Sequence, residues 1–301
     1  MKLLSKKWII LLVVLTVALG VVGCVNKTTY DGSVNIIEVS ELKEVIGESN
    51  VVVVDARKSE EYAKGHLKGA INLAPSNFDK TGDVGALIAD KATIESVLSE
   101  NGISNDTLVL IYDGSNGVFS SRVWWVLKGY GHENVKVING GADAIVRNSL
   151  ELSASARKMK KTVYTAKDFD DSMYASIEDV KNAIEDENIK IIDVRTKAEF
   201  DEGAIPTAIN YSNSNNCYTD GTFKSETNIF LNYNDLGFEK DSNIILYCKS
   251  SYRATQTALL LKEAGFENVK VYDGAWLEWS NSNMPVEEKT DTEVITEQDA
   301  S

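Results

Sequence analysis

A cysteine marks the point where an apolar segment of this chain gives way to a polar loop. Cys248 follows the apolar run 244–247, and the four residues after it lead to Arg253, where a helical pattern begins. A thiol in a loop that feeds a helix N-terminus lies among backbone N–H groups at the positive end of the helix dipole, which favours the nucleophilic thiolate. Lys249 and Arg253 add positive charge nearby. The alternative is an ordinary buried thiol.

The elements that must position this thiol occur twice in the chain. Four segments of the first half match four segments of the second in the same order: 51–57 with 189–195, 108–112 with 243–247, 128–137 with 262–271, and 139–142 with 273–276. The separation between partners is nearly constant and is as long as a whole domain. This pattern indicates duplication of a domain rather than the short period of a solenoid.

Each half alternates short β-branched runs with helical patterns. In the first half we predict strands and helices at the following positions: strands 51–54, 108–112 and 135–138, and helices 40–46, 59–64, 93–101 and 121–130. Alternation of this kind predicts an α/β fold in which each half forms a parallel sheet with helices on both faces. Ligands bind at the carboxyl ends of the strands in such sheets, which is the position of Cys248.

The first residues predict a targeting segment. Three lysines precede the apolar run 8–22, which is short for a membrane span. Gly23 and Cys24 follow this run directly. This junction resembles the lipobox of bacterial lipoproteins, in which the cysteine becomes the lipidated N-terminus. We therefore expect a protein held on the outer face of a membrane only through a lipid on Cys24, with an uncleaved signal anchor as the alternative.

The composition excludes several classes of partner. The 301 residues carry a net charge of −14, which argues against binding to nucleic acid or to an anionic membrane surface. Three cysteines are too few for a disulfide framework. No sequence motif for a metal, a nucleotide or a flavin is present, so we expect no cofactor.

The predicted organisation has six parts. They are a signal peptide (1–23), a polar tether (24–34), a first domain (35–149), a linker rich in Ser, Ala and Lys (150–165), a second domain (166–287) and an acidic, disordered tail (288–301).

Several motifs together resemble the rhodanese family, and the tandem arrangement is similar to a two-domain sulfurtransferase. The resemblance covers about residues 35 to 287. The motifs are Asp55, Arg57 and Glu61 with their repeats Asp193, Arg195 and Glu199; the segment 65–72; the segment 122–125 with Gly131 and His132; and the segment 273–276. Each motif is weak alone, but their order and duplication make the resemblance specific.

The resemblance implies persulfide chemistry without a cofactor. In this family a cysteine thiolate takes a sulfane sulfur from a small anionic donor, thiosulfate or 3-mercaptopyruvate, and passes it to cyanide, a thiol or another protein. It assigns Cys248 as the nucleophile. The cradle for the anionic persulfide is then formed by Lys249, Ser250, Ser251, Tyr252 and Arg253. Arg195 is a candidate for donor binding, and an internal ion pair with Glu199 or Asp193 is its alternative role.

The sequence departs from the family pattern at two positions. Asp113 stands where the first half should carry a cysteine, and a carboxylate cannot carry sulfane sulfur, so this half resembles the inactive partner domain of tandem members. Ser251 stands where glycine is common, which predicts a strained turn. Lys249 is typical of thiosulfate-specific loops and the two serines of mercaptopyruvate-specific ones, so the donor stays open.

Two alternative functions remain. Phosphatases and arsenate reductases of this fold have five residues between Cys and Arg, and this chain has four, which favours a single sulfur atom over phosphate. A surface-tethered sulfur-binding or protein-binding module without catalysis is the second alternative.

Cys217 lies in the polar loop 213–218, which we expect to be exposed. Three roles are open for this thiol: it is inert, it resolves the persulfide, or it forms a disulfide with Cys248.

Overall fold

A computed structural model of the protein describes residues 30–80, 82, 86–114 and 116–288. The predicted signal peptide, Cys24 and all but the first residue of the predicted tail lie outside this part of the chain. The described residues form two α/β domains of the same design, as the sequence predicts.

The first domain begins with a short strand and ends with one. Its elements are β1 (Ile36–Ile37), α1 (Val39–Val45), β2 (Val51–Asp55), α2 (Ser59–Lys64), β3 (His66–Leu67), β4 (Ile71–Asn72), α3 (Lys91–Glu100), β5 (Leu108–Tyr112), α4 (Val118–Gly129), β6 (Val135–Ile138), α5 (Gly141–Arg147) and β7 (Leu152–Ser153).

The second domain repeats this order, but its described strands include no counterparts of β3 and β7. Its elements are β8 (Tyr174–Ala175), α6 (Ile177–Glu185), β9 (Ile189–Asp193), α7 (Lys197–Asp201), β10 (Ile209–Asn210), α8 (Glu226–Asn234), β11 (Asn243–Tyr247), α9 (Tyr252–Glu263), β12 (Asn268–Tyr272) and α10 (Ala275–Asn281). Short 3-10 helices lie at Pro75–Asn77 and Asn213–Asn216.

Each domain is built on a five-stranded parallel sheet flanked by helices. The strand orders are β1-β6-β5-β2-β4 and β10-β9-β11-β12-β8. The central strands carry buried β-branched and aliphatic side chains on both faces, which is why they read as continuous apolar runs in the sequence. The predicted strands and helices of the first half agree with the observed ones to within three residues at each end.

The domains are joined by the helices that follow β5 and β11. Helix α4 of the first domain packs against α9 of the second, and one hydrophobic core runs through both domains. Trp124 and Trp125 on α4 and Leu259 on α9 are almost fully buried there. The loops that precede α4 and α9 therefore lie close to the domain interface.

Two residues of the predicted tether, Tyr30 and Ser33, contact the second domain. The Tyr30 side chain is buried, its ring meets Phe223 edge-on at 6.5 Å, and its O–H donates to the carbonyl of Lys224. Ser33 donates to Glu263. The polar, glycine-containing composition of this segment predicts a free tether. The ring of Tyr30 nevertheless packs on an apolar site of the second domain.

Two absences hold for the part of the chain that the structure describes. It has no helix long and apolar enough to cross a membrane. It also has no group of three or more His, Cys, Asp or Glu side chains that could hold a metal ion.

Candidate active site

Cys248 lies at the carboxyl end of the central strand of the second sheet. β11 ends at Tyr247, and helix α9 begins at Tyr252, one residue earlier than the sequence pattern indicates. The Cys248 residue is only 1% exposed, and its carbonyl accepts a hydrogen bond from the backbone N–H of Trp276 at 2.9 Å. The predicted strand, loop and helix around the thiol are therefore present.

Ser251 gives the loop its tight turn. Its φ angle is 65°, in the left-handed region that glycine adopts without cost and other residues adopt at about 1 kcal/mol or more. The side chain is buried, and its hydroxyl donates to the carbonyl of Ser250 at 2.7 Å. The turn that we expected to be strained at this position is strained in its backbone.

The matching loop of the first domain surrounds a carboxylate with backbone N–H groups. The buried carboxylate of Asp113 accepts hydrogen bonds from the backbone N–H groups of Gly117 at 3.0 Å, Phe119 at 2.6 Å and Ser120 at 2.8 Å. These groups belong to the turn and to the first residues of α4, which carry no intrahelical acceptor. The loop thus holds a negative charge with helix N-terminal dipoles.

The same three N–H groups are open in the second domain. Gly117 and Ser251 are the left-handed residues directly before α4 and α9, so the counterparts of the three donors are Ser251, Arg253 and Ala254. Within the described residues no hydrogen-bond acceptor is recorded for these three N–H groups. Their counterparts in the first domain donate to the Asp113 carboxylate.

Arg253 is paired with a carboxylate and is not a free cation. Its two terminal nitrogens donate to the two oxygens of Glu199 at 2.7 and 2.8 Å. The hydrogen bonds from Arg253 hold the pKa of Glu199 well below its ordinary value, at about 2. Glu199, with smaller contributions that include the nearby Cys248, raises the pKa of Arg253. We expected Arg253 as a charge partner of the thiol, and most of its charge is balanced by Glu199.

Arg195 adopts the alternative role that the sequence left open. Its Nε and Nη2 atoms contact the Asp193 carboxylate at 2.6 to 3.0 Å, and Nη2 also donates to the carbonyl of Gly203 at 2.6 Å. Its side chain is 3% exposed, and its guanidinium lies 4.4 Å from the ring centroid of Trp276. Arg195 is thus bound within the fold beside the Cys248 loop, in an arrangement that favours support of that loop over donor binding.

The remaining residues of the loop differ in exposure. Lys249 is exposed, its carbonyl accepts from the N–H of Leu277 at 3.1 Å, and no ion pair of its ammonium group is recorded among the described residues. The Ser250 carbonyl accepts from the N–H of Tyr252 at 2.9 Å. Of the three cations that the sequence placed at the site, only Lys249 is open to an incoming anion.

The sequence did not predict the pairing of Arg253 with Glu199 or the presence of Asp79 at the site. Glu199 is visible in the sequence as the last residue of the capping box that begins at Thr196, so its helix position could have been predicted, but not its partner Arg253. Asp79 belongs to the first domain, and its carboxylate accepts a hydrogen bond from the hydroxyl group of Tyr252. No sequence signal points to Asp79, because the contact depends on how the domains pack.

Cys217 lies against the loop of the first domain, with its sulfur 3.7 Å from the carbonyl oxygen of Asn116. It is partly buried rather than exposed, and the Gln256 amide nitrogen lies 3.3 Å from its sulfur. Burial, followed by the charge of Asp113, raises the pKa of the Cys217 thiol to about 12. Cys217 and Cys248 are both free thiols, so no disulfide joins them.

Comparison with known proteins assigns the family. The sequence model described as "Rhodanese-like domain" matches residues 38–148 and 176–282, one match in each structural domain. The chain belongs to the rhodanese family. Each of its two rhodanese domains contains one of the matching loops, with Asp113 in the first and Cys248 in the second.

Relatives share both rhodanese domains. The chain is 34% identical over 237 residues to a candidate thiosulfate sulfurtransferase of Mycolicibacterium smegmatis, a match that covers 73% of this chain and 84% of that protein. A candidate thiosulfate sulfurtransferase of Saccharopolyspora erythraea is 33% identical, with 75% and 86% covered. The crystal structure of SseA, a 3-mercaptopyruvate sulfotransferase of Escherichia coli, matches with a TM-score of 0.73 and 26% identity, covering 80% of this chain and 98% of that one.

Proposed function

We propose that this rhodanese is a sulfurtransferase that moves a sulfane sulfur from thiosulfate or 3-mercaptopyruvate to cyanide, a thiol or a protein, through a persulfide on Cys248. The named relatives support sulfur transfer as the reaction class. The observation that carries the proposal is the set of open N–H groups on Ser251, Arg253 and Ala254.

The carboxylate oxygens of Asp113 and the outer sulfur of a Cys248 persulfide lie the same number of bonds from Cβ. In Asp113 the oxygens that accept the three hydrogen bonds are two bonds from Cβ. In a Cys248 persulfide the outer sulfur is also two bonds from Cβ, and the S–S bond of about 2 Å is longer than the C–O bond. We therefore infer that the outer sulfur, which carries the negative charge, accepts hydrogen bonds from the three N–H groups, for which no acceptor is recorded among the described residues. The loop is suited to the loaded form of the cysteine.

The reaction needs no cofactor. The Cys248 thiolate attacks the outer sulfur of thiosulfate, the donor S–S bond breaks, and sulfite leaves with the bonding electron pair. With 3-mercaptopyruvate the C–S bond breaks, the thiol proton ends on the carbon, and pyruvate leaves. Cyanide then attacks the outer sulfur and leaves as thiocyanate, which returns the electron pair to the Cys248 sulfur.

The charges around the loop limit how an anionic donor is held. Arg253 is balanced by Glu199, and Arg195 by Asp193. Lys249 is exposed at the rim and is the cation that we assign to donor contact, together with the loop N–H groups. We therefore expect weak donor binding and a rate that depends mainly on how well the loop stabilises the persulfide.

The test is mass spectrometry of the protein after incubation with thiosulfate or 3-mercaptopyruvate. We expect an added mass of one sulfur atom on the peptide that contains Cys248, loss of this mass on addition of cyanide, and no added mass in Cys248→Ser. Absence of the adduct with both donors would overturn the proposal and favour a binding module without catalysis.

A phosphatase or arsenate reductase is a less suitable function for this loop. Only four residues separate Cys248 from Arg253, and Arg253 is engaged by Glu199 rather than open to a tetrahedral oxyanion. Turnover of p-nitrophenyl phosphate measured beside sulfur transfer distinguishes the two functions. Hydrolysis without any sulfur transfer would favour the phosphatase.

We also propose that the protein acts on the outer face of a membrane, held by a lipid on Cys24. This proposal depends on the basic, apolar and cysteine-terminated pattern of the first 24 residues. Membrane fractionation of cells that produce the wild type and Cys24→Ala tests it. Equal recovery of both proteins in the membrane fraction would contradict lipid anchoring.

A further inference from the structure

One side chain of the catalytic loop reaches into the other domain. Tyr252, the first residue of α9, donates a hydrogen bond from its hydroxyl group to the carboxylate of Asp79 in the first domain. Its ring centroid lies 5.5 Å from the guanidinium carbon of Arg122, and Phe119 meets the ring edge-on at 6.1 Å. All three contacts are made by residues of the domain that has no catalytic cysteine.

The partners of Tyr252 are themselves held firmly. Arg122 on α4 is fully buried, and its Nη1 donates to Asp273 of the second domain at 2.6 Å. Its Nη2 contacts Asp79 at 3.3 Å and donates to the carbonyl of Ala86 at 2.5 Å. A buried arginine between two carboxylates is costly to displace, because any movement leaves a charge without its partner. This network fixes the position of Asp79.

The backbone around Tyr252 needs such support. Tyr252 stands between Ser251 and Arg253, two of the residues whose N–H groups face the persulfide position. Ser251 is in the left-handed region, and a strained residue of this kind persists only where its surroundings hold it in place. An anchor on the neighbouring side chain supplies that hold.

The loop of the first domain is held in the same reciprocal way. The amide nitrogen of Gln256, on α9 of the second domain, donates to the carbonyl of Asn116 at 2.7 Å. Each loop therefore receives a polar contact from the helix or loop of the opposite domain. The two loops differ in one respect: the second loop carries a cysteine, Cys248, and the first carries Asp113 at the matching position.

We propose that Asp79 and Arg122 of the first domain are positioning residues for sulfur transfer at Cys248, acting through Tyr252 on the N–H groups of the loop. This inference rests on the proposed sulfurtransferase function. It gives the domain without a cysteine a defined role: it aligns the donors that stabilise the persulfide, in addition to covering the apolar face of its partner.

The experiment compares Tyr252→Phe, Asp79→Asn and the double variant with the wild type, using the full chain purified in detergent. Tyr30→Phe is the matched control, because it also removes one hydroxyl contact to the other domain but does not touch the loop. The measurements are kcat and KM for thiosulfate:cyanide transfer, the rate of Cys248 alkylation by iodoacetamide, and the melting temperature.

We expect kcat to fall about fivefold or more in Tyr252→Phe and Asp79→Asn with KM nearly unchanged, because misaligned donors stabilise the persulfide less. The alkylation rate of Cys248 should change in both variants as well. The double variant should resemble the single ones, since both substitutions remove one contact. Tyr30→Phe should keep the wild-type kcat while its melting temperature falls as much as that of Tyr252→Phe.

Two results would overturn the inference: a kcat within about twofold of the wild type in both loop variants, or an equal loss in Tyr30→Phe. If the wild type takes up no sulfur at all, the proposed function fails. The alkylation rates still decide the positioning role in that case, because alkylation of Cys248 does not require sulfur transfer. Unchanged alkylation rates would then overturn it.

Discussion

Glu199 binds both terminal nitrogens of Arg253, at 2.7 and 2.8 Å, and so balances most of a positive charge that the sequence places in the loop of Cys248. The first prediction concerns the donor. Glu199→Gln keeps the side-chain shape and leaves the Arg253 charge unbalanced, so the KM for thiosulfate should fall about threefold to tenfold at pH 7. Steady-state transfer to cyanide measures this effect.

Glu178→Gln is the control for that change, because Glu178 forms an exposed ion pair with Lys181. Its KM should equal that of the wild type. A KM for Glu199→Gln that is unchanged or higher would show that the freed Arg253 does not contact the donor.

The same ion pair predicts how stability depends on pH. The pKa of Glu199 is lowered from 4.5 to about 2 in the folded protein, so the stabilisation is fully present above pH 4.5 and is lost as the pH falls towards 2. The free energy of unfolding of the wild type should exceed that of Glu199→Gln by up to about 3 kcal/mol at pH 7. Urea titrations at several pH values test this, and a difference that does not shrink below pH 4.5 would contradict it.

A second prediction places aspartate, the residue of the first-domain loop, at position 248. Cys248→Asp should take up no sulfur, yet it should be more stable than Cys248→Ala by about 1–3 kcal/mol, because its carboxylate accepts the open N–H groups as Asp113 does. Denaturant unfolding measures the difference. If Cys248→Asp is the less stable of the two, the loops do not hold an anion in the same way.

A third prediction concerns the strained turn. Ser251→Gly should raise the free energy of unfolding by about 1 kcal/mol, since glycine adopts a φ of 65° without the Cβ conflict. Ser250→Gly is the control, because the φ of Ser250 is not positive, and there glycine should lower the stability. A gain for Ser250→Gly equal to that for Ser251→Gly would argue against strain at Ser251.

A fourth prediction compares the reactivity of the two thiols of the second domain, Cys217 and Cys248. The pKa of Cys217 is raised to about 12, so this thiol stays protonated at neutral and mildly basic pH and should react slowly. Iodoacetamide at pH 7.5 should label Cys248 at least about tenfold faster than Cys217, even though Cys248 is the more buried of the two. Peptide mapping of a time course measures both rates in one sample.

Asp113→Asn supplies the control for this experiment, because it removes a charge that raises the pKa of Cys217. Labelling of Cys217 should become somewhat faster in this variant, while that of Cys248 should not change. Rapid labelling of Cys217 in the wild type would restore a role for it in resolving the persulfide.

Local patterns in the sequence determined the architecture and the position of Cys248, the residue that we propose as the nucleophile. The apolar runs predict β5 and β11, and the break after each run places Asp113 and Cys248 at the carboxyl ends of parallel strands. Even the unusual turn at Ser251 could be expected, because the left-handed region is a property of one residue and its neighbours. These features depend on short-range sterics and hydrophobic periodicity, both of which are visible in a single sequence.

Tertiary packing decided which charged and polar groups meet. Arg253 pairs with Glu199, which is 54 residues away, and Tyr252 donates to Asp79 on the other domain. Likewise, Tyr30 docks on the second domain although its neighbours are typical of a tether. The sequence shows that cations and acids are present, but their pairing depends on the fold. Helix α7 places Glu199 beside Arg253 within the second domain, and the packing of α4 against α9 joins the two domains.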